Sequence, residues 1–164
     1  MNEQIFTREM RKSIQMALPM SHYVKIPDQI YNPRATFNPE KKYDAYVVSG
    51  GCFTALEYKL HTSHNAFPFN QLRPIQEVAL LEVMEAGAHA YIVIGLRFKQ
   101  VRKTYFVPIK DYLKMKHNAD RKSLPLDELE QCGYPQAEWL GNGQWKFNSA
   151  LFTYPKISTE TKSY

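Results

Sequence analysis

The chain has 164 residues, 44% of them hydrophobic, with 21 Lys and Arg against 16 Asp and Glu for a formal charge of +5. One domain of that size buries a sufficient core, which excludes a wholly disordered chain and a fold dependent on staples. Only Cys52 and Cys132 are present, without metal-ligand spacing, and no apolar run is long enough to span a bilayer. Zinc frameworks, secreted disulfide scaffolds and membrane spans are thereby set aside, and a cytoplasmic protein is expected.

Thr7–Met16 predicts a first helix, with Thr7 as N-cap and Met10, Ile14 and Ala17 as its apolar stripe. Arg8, Glu9, Arg11 and Lys12 form its charged face, which in most proteins is solvated surface. Pro19 ends it. His22–Ile26 reads as a short strand, and Pro27, Pro33 and Pro39 mark Asp28–Lys41 as a loop or a short projecting arm.

Tyr43–Val48 and Cys52–Leu60 are rich in β-branched and aromatic residues, and Gly50-Gly51 between them tolerates a primed turn, so Lys42–Lys59 reads as a β-hairpin. With the glycines at the turn centre, partners have residue numbers summing to 101, and Asp44 lies opposite Glu57. Period-two alternation then gathers Asp44, Glu57 and Lys59 on one face. Facing carboxylates repel unless one is protonated or a cation lies between them, and a hard oxygen-ligated ion such as Mg²⁺ answers that need. A lysine beside such a site can orient a water or stabilise charge on a phosphate. The plainer alternative is a solvated strand face with an Asp–Lys or Glu–Lys pair.

His61 and His64 fall in a polar loop with nothing to supply a third ligand, so they predict no metal site. Pro74–Gly87 predicts the clearest helix, with Ile75, Val78, Leu81 and Met84 or Ala88 as its stripe and Gly87 at the C′ position. Ala90–Leu96 reads as a central strand buried on both faces and Thr104–Val107 as the next, with Arg97, Lys99, Arg102 and Lys103 clustered on a basic turn. Ile109–Met115 and Leu126–Gln131 predict short helices. Trp139–Phe147 predicts a hairpin around Asn142-Gly143, its tryptophans in a small satellite core. The element order implies an α/β fold, a mixed central β-sheet flanked by helices, in one domain over 1–155 with a polar tail at 156–164.

Asp44-x12-Glu57-x-Lys59 resembles the PD-(D/E)xK nuclease core, and separate segments extend the likeness in matching order. Phe67-Pro68 followed by Gln76, the AYIVIGL and YFVPI strands, and Arg121–Tyr134 (RKSLPLDELEQCGY) resemble the RecU family of Holliday-junction resolvases. The resemblance runs from the first helix to about Tyr134 and implies a restriction-endonuclease-like core. It makes Asp44, Glu57 and the Tyr58 backbone carbonyl metal ligands, gives Lys59 the nucleophilic water, and has Gln76 help hold the site. The family's first-helix acid falls on Glu9, or on Gln15 in another alignment. Only about Pro27–Lys41 is present where the family has a longer stalk, as in a trimmed phage version of the fold.

What the resemblance implies is a Mg²⁺-dependent endodeoxyribonuclease, with Mn²⁺ as a substitute ion, that resolves four-way junctions as a homodimer in recombination and repair. Arg8, Arg11, Lys12, Arg97, Lys99, Arg102 and Lys103 are then the phosphate contacts. The alternatives are another nuclease of the superfamily acting on flaps or ends, and a non-catalytic module that binds branched DNA.

Overall fold

A computed structural model describes residues 2–28, 33–36, 40–63, 65–118 and 120–154. The polar tail, His64 and much of the expected arm, Pro39 included, lie outside the described residues.

Helix α1 spans Glu3–Ala17 and starts earlier than Thr7, because the Asn2 side chain accepts the Ile5 N–H at 2.9 Å and caps it. Its buried stripe is Phe6, Met10, Ser13 and Ile14, while Ala17 is exposed. Strands β1 (His22–Lys25), β2 (Ala45–Ser49) and β3 (Cys52–His61) form an antiparallel meander. The ladder from Ser49↔Cys52 to Ala45↔Leu56 is in the expected register. Gly50 and Gly51 both take positive φ, at 56° and 78°, as the primed turn requires.

A short strand β4 (Ala66–Pro68) and helix α2 (Pro74–Glu85) carry the chain across to β5 (His89–Phe98), which runs parallel to β3. A parallel neighbour needs such a crossover. β6 (Val101–Pro108), helix α3 (Ile109–Asn118), β7 (Ser123–Pro125), helix α4 (Leu126–Gln131), β8 (Gln136–Gly141) and β9 (Gln144–Lys146) complete the order. The seven-stranded sheet runs β1-β2-β3-β5-β6-β8-β9, and β4 pairs with β7 in a small separate sheet. Three-residue strands carry no periodicity, so that second sheet was not expected.

The large sheet curls around α1, which packs on β3 and β9 and receives the Trp145 N–H on Ser13 Oγ at 2.9 Å. β5 is buried on both faces as expected: Tyr91 and Val93 join Phe6, Met10 and Phe106, whereas Ile92 and Ile94 join Leu80, Tyr112 and Leu129. Trp145 belongs to the first of these cores and not to a satellite. Helix α2 is turned differently from its predicted stripe. Gln76, Ala79 and Leu80 face in, leaving Ile75 and Val78 37% and 54% exposed. This helix is apolar on most of its circumference, so periodicity could not choose the face. Gly87, with φ 89°, follows its C-cap as predicted.

Gly95 lets α1 approach β5. A Cβ there would lie 2.9 Å from Phe6 Cζ and 3.0 Å from Leu60 Cδ1, and the buried Phe6 ring is held edge-on by Tyr58 and Trp145. Gly95→Ala is expected to cost about 1–3 kcal/mol through overpacking. Urea titration should show a lower midpoint at unchanged slope.

Candidate active site

Glu57 sits in the middle of β3, one strand in from β2, with 1% of its surface exposed. Alternation along β3 sends Leu56 and Tyr58 to the α1 side and Glu57 and Lys59 to the other, as expected. There Glu57 Oε1 accepts from Gln76 Nε2 at 2.5 Å and pairs with Lys59 Nζ at 2.9 Å. Gln76 is itself held, its Oε1 accepting the Arg73 N–H at 3.0 Å in the first turn of α2. Glu57 Oε2 is buried without a hydrogen-bond partner among the described residues. Burial, and then the negative charge of Asp44, raise the Glu57 carboxyl to about 7 against the opposing pull of Lys59 and Lys41.

Asp44 lies just before β2, where the register slips by one residue. Its N–H donates to Leu56 O at 3.1 Å, and its carbonyl accepts the Ile26 N–H at 2.8 Å. Asp44 Oδ2 accepts the Tyr58 N–H at 2.8 Å, and Oδ1 pairs with Lys41 Nζ at 2.7 Å. In a strand the N–H and C=O of one residue point to the same edge. The Tyr58 carbonyl therefore lies on the same edge of β3 as the N–H that Asp44 accepts, beyond the end of β2. Two carboxylates, one with an orphaned buried oxygen, and a backbone carbonyl make a hard oxygen set, which suits Mg²⁺ or Mn²⁺. No cluster of three or more His, Cys, Asp or Glu fit for a metal occurs among the described residues, so any ion here would rest on the acid pair and the carbonyl.

A cleft of about 480 Å³ opens beside Asp44, walled by Arg8 and Arg11 of α1 and by Lys25 and Lys41. Glu3 of α1 borders it, with Oε2 3.4 Å from the Leu60 N–H. Glu9 points elsewhere: its Oε2 accepts from Trp145 Nε1 at 3.3 Å, and its side chain packs beside Gly143 in the terminal hairpin. The correction follows from helix geometry, since Glu3, Thr7 and Arg11 share the cleft-facing side of α1 and Glu9 lies off it. Gln15 is exposed near the far end of the helix.

The basic turn also differs from expectation. β5 and β6 run on until only Lys99 and Gln100 separate them. Arg97 lies within β5, where it donates to Leu96 O, Lys103 O and Thr104 Oγ1 at 2.8, 2.7 and 3.1 Å. Its guanidinium lies 4.5 Å from the Trp145 ring centre, and burial lowers it to about 10, so at neutral pH it is a charged structural brace. Lys99 and Arg102 stay exposed, and Lys103 approaches Glu130 at 3.5 Å. His61 is buried with Nδ1 2.8 Å from Gln71 Nε2.

Residues 9–140 match the family model of RecU, recombination protein U. The chain belongs to the RecU family. Membership makes this RecU protein a Holliday-junction-resolving nuclease, and the matched span holds Asp44, Glu57, Lys59 and Gln76. Among solved structures it is similar to Hjc of Archaeoglobus fulgidus, a Holliday junction resolvase from an archaeal hyperthermophile. The two are 16% identical over 76% of this chain and 92% of that one, with a TM-score of 0.47. No curated protein matches it.

Sequence reasoning missed Glu3, Lys25 and Lys41 of this RecU protein. Only the Lys41-Lys42 pair just before Asp44 carried a signal, a local excess of positive charge beside an acid.

Without divalent ions, folded Glu57 keeps its proton up to about pH 7, whereas the unfolded chain releases it near 4.5. Stability from this group is thus complete below pH 4.5 and is lost as pH rises through 7. Glu57→Gln should accordingly stabilise the EDTA-treated protein at pH 8.5, by up to about 3 kcal/mol. Denaturant curves at pH 4 and 8.5 would show the gain at the higher pH alone.

Proposed function

We propose that this RecU protein hydrolyses phosphodiesters of four-way DNA junctions with Mg²⁺ held by Asp44, Glu57 and the Tyr58 carbonyl, and that it acts as a homodimer. The observation that carries the reading is the buried Glu57, bonded to Lys59 and Gln76 and coupled by charge to an Asp44 that borders a cleft where Arg8, Arg11, Lys25 and Lys41 face Glu3 and Asp28. A bound divalent ion would supply positive charge opposite the scissile phosphate and acidify a coordinated water.

The chain's own groups divide the remaining work. Arg8, Arg11 and Lys25 hold backbone phosphates in the cleft, which fixes the register of the DNA without reading bases. Lys59 orients the attacking water and offsets charge growing on the phosphate, and Gln76 holds Glu57 Oε1, so that Oε2 would be the oxygen left to hold a metal. Lys12, Lys99 and Arg102 are exposed and extend the basic surface beyond the cleft. Arg97 is excluded from it by its commitments inside β5. A homodimer suits the substrate, since paired nicks in opposed strands call for two sites about a two-fold axis. No helix among the described residues is long and apolar enough to cross a membrane.

A labelled four-way junction incubated beside a matched linear duplex tests the activity. Paired nicks near the crossover that need both Mg²⁺ and Glu57 are expected, with Glu57→Gln reducing cleavage at least a hundredfold while leaving binding intact. Equal cutting of flaps and junctions would point to a different nuclease of the superfamily. Tight binding with no cutting by the wild type would leave only a binding module.

The two kinds of arginine separate in a salt titration. Removing Arg8 and Arg11 together should flatten the slope of log K against log salt by about 1.8, at about 0.9 per phosphate contact. Arg97→Ala should lower the melting temperature and leave that slope unchanged.

A further inference from the structure

Lys41 is the residue at the site that neither the family motif nor the mechanism above uses. Its Nζ pairs with Asp44 Oδ1 and Asp28 Oδ1, each at 2.7 Å. The lysine and Asp44 side chains are only 13% and 18% exposed, whereas Asp28 is 76% exposed. Exposed ion pairs hold little, but this ammonium is largely withdrawn from water and lies between two carboxylates. With Tyr58 N–H on Oδ2, both oxygens of Asp44 already have a donor, one of them the charged Lys41.

A divalent ion bound to Asp44 would meet the charge of Lys41 at close range, where repulsion in a partly buried site is strong. Metal binding is therefore opposed for as long as Lys41 stays. The same side chain borders the cleft lined by Arg8, Arg11 and Lys25, where a DNA phosphate would offer the ammonium another anion.

We propose that Lys41 is a positioning residue that couples metal binding to DNA binding. In the free protein its ammonium stands in for the metal on Asp44, and a phosphate entering the cleft draws it away. The inference rests on Asp44 being a metal ligand. By reciprocity, whatever DNA adds to metal affinity the metal adds to DNA affinity, so the fully charged site assembles only on substrate.

The test measures free Mn²⁺ by electron paramagnetic resonance in titrations of the DNA-free protein as wild type, Lys41→Met, Lys41→Gln and Lys41→Arg. Removing the charge in Lys41→Met should tighten Mn²⁺ binding about tenfold, whereas Lys41→Arg, which keeps it, should stay near wild type. Lys41→Gln serves if the Met variant does not fold. A second measurement follows junction binding by fluorescence anisotropy with and without Ca²⁺. The strengthening by Ca²⁺ should be large in the wild type and several-fold smaller in Lys41→Met. Equal Mn²⁺ affinities in wild type and Lys41→Met, or weaker binding by the latter, would overturn the coupling and leave the metal site standing. Absence of stoichiometric Mn²⁺ binding from every variant would overturn the metal site as well.

Discussion

A carboxylate buried inside a β-sheet is the constraint from which the rest of this protein follows. Glu57 lies one strand in from β2 with almost no solvent contact, where an uncompensated charge is costly. Everything placed around it answers that cost in part. Lys59 brings a positive charge from two residues along the same strand, Gln76 donates from the head of α2, and burial raises the proton affinity of the carboxyl. Among the described residues Oε2 is still left over. A folded chain that keeps one buried acceptor unsatisfied has forgone some stability, and such positions concentrate at functional sites.

The second half of the site lies where the sheet stops being regular. β2 ends at Ala45, the register slips at Asp44, and the released edge of β3 presents Tyr58 N–H to the Asp44 carboxylate. An edge is the one place in a sheet where backbone groups remain available to ligands. α1 then lies across the same sheet face as Tyr58, so Arg8 and Arg11 of the helix meet Lys25 of β1 and Lys41 in one cleft. Positive charge is thus gathered beside Asp44, and the sheet interior behind it stays apolar. The packing that makes this possible is ordinary: Phe6 against Gly95, Trp145 over Arg97, and a Ser13 side chain that closes the sheet onto the helix.

Much of the architecture was legible because it is local. The Gly50-Gly51 and Asn142-Gly143 hairpins depend on a few backbone angles that glycine and asparagine favour, and the register of β2 on β3 followed from the first of these turns. Alternation placed Glu57 and Lys59 together, the unbroken apolar run of β5 announced a central strand, and α4 has the expected bounds. Other features rest on contacts between distant residues. β4 pairs with β7 over more than fifty positions, α2 turned its glutamine inward because Glu57 waits there, and Arg97 became a brace because Trp145 comes to lie against it. Glu9 was the first-helix acid that the family likeness offered, and only the rotation of α1 sets it against Trp145 while Glu3 borders the cleft.

The amino-acid sequence by itself determined the class of fold, the hairpin strand that carries Glu57 and Lys59 on one face, and the family. Each is written in short-range spacing or in segments that keep their order. Only the tertiary structure decided which residues share a cleft, that Arg97 is bonded within the sheet while Arg8 and Arg11 line the cleft, that Lys41 pairs with Asp44, and that one oxygen of Glu57 has no hydrogen-bond partner among the described residues. Those outcomes depend on how a helix is rotated and where a strand ends, and both are settled by packing across the whole chain.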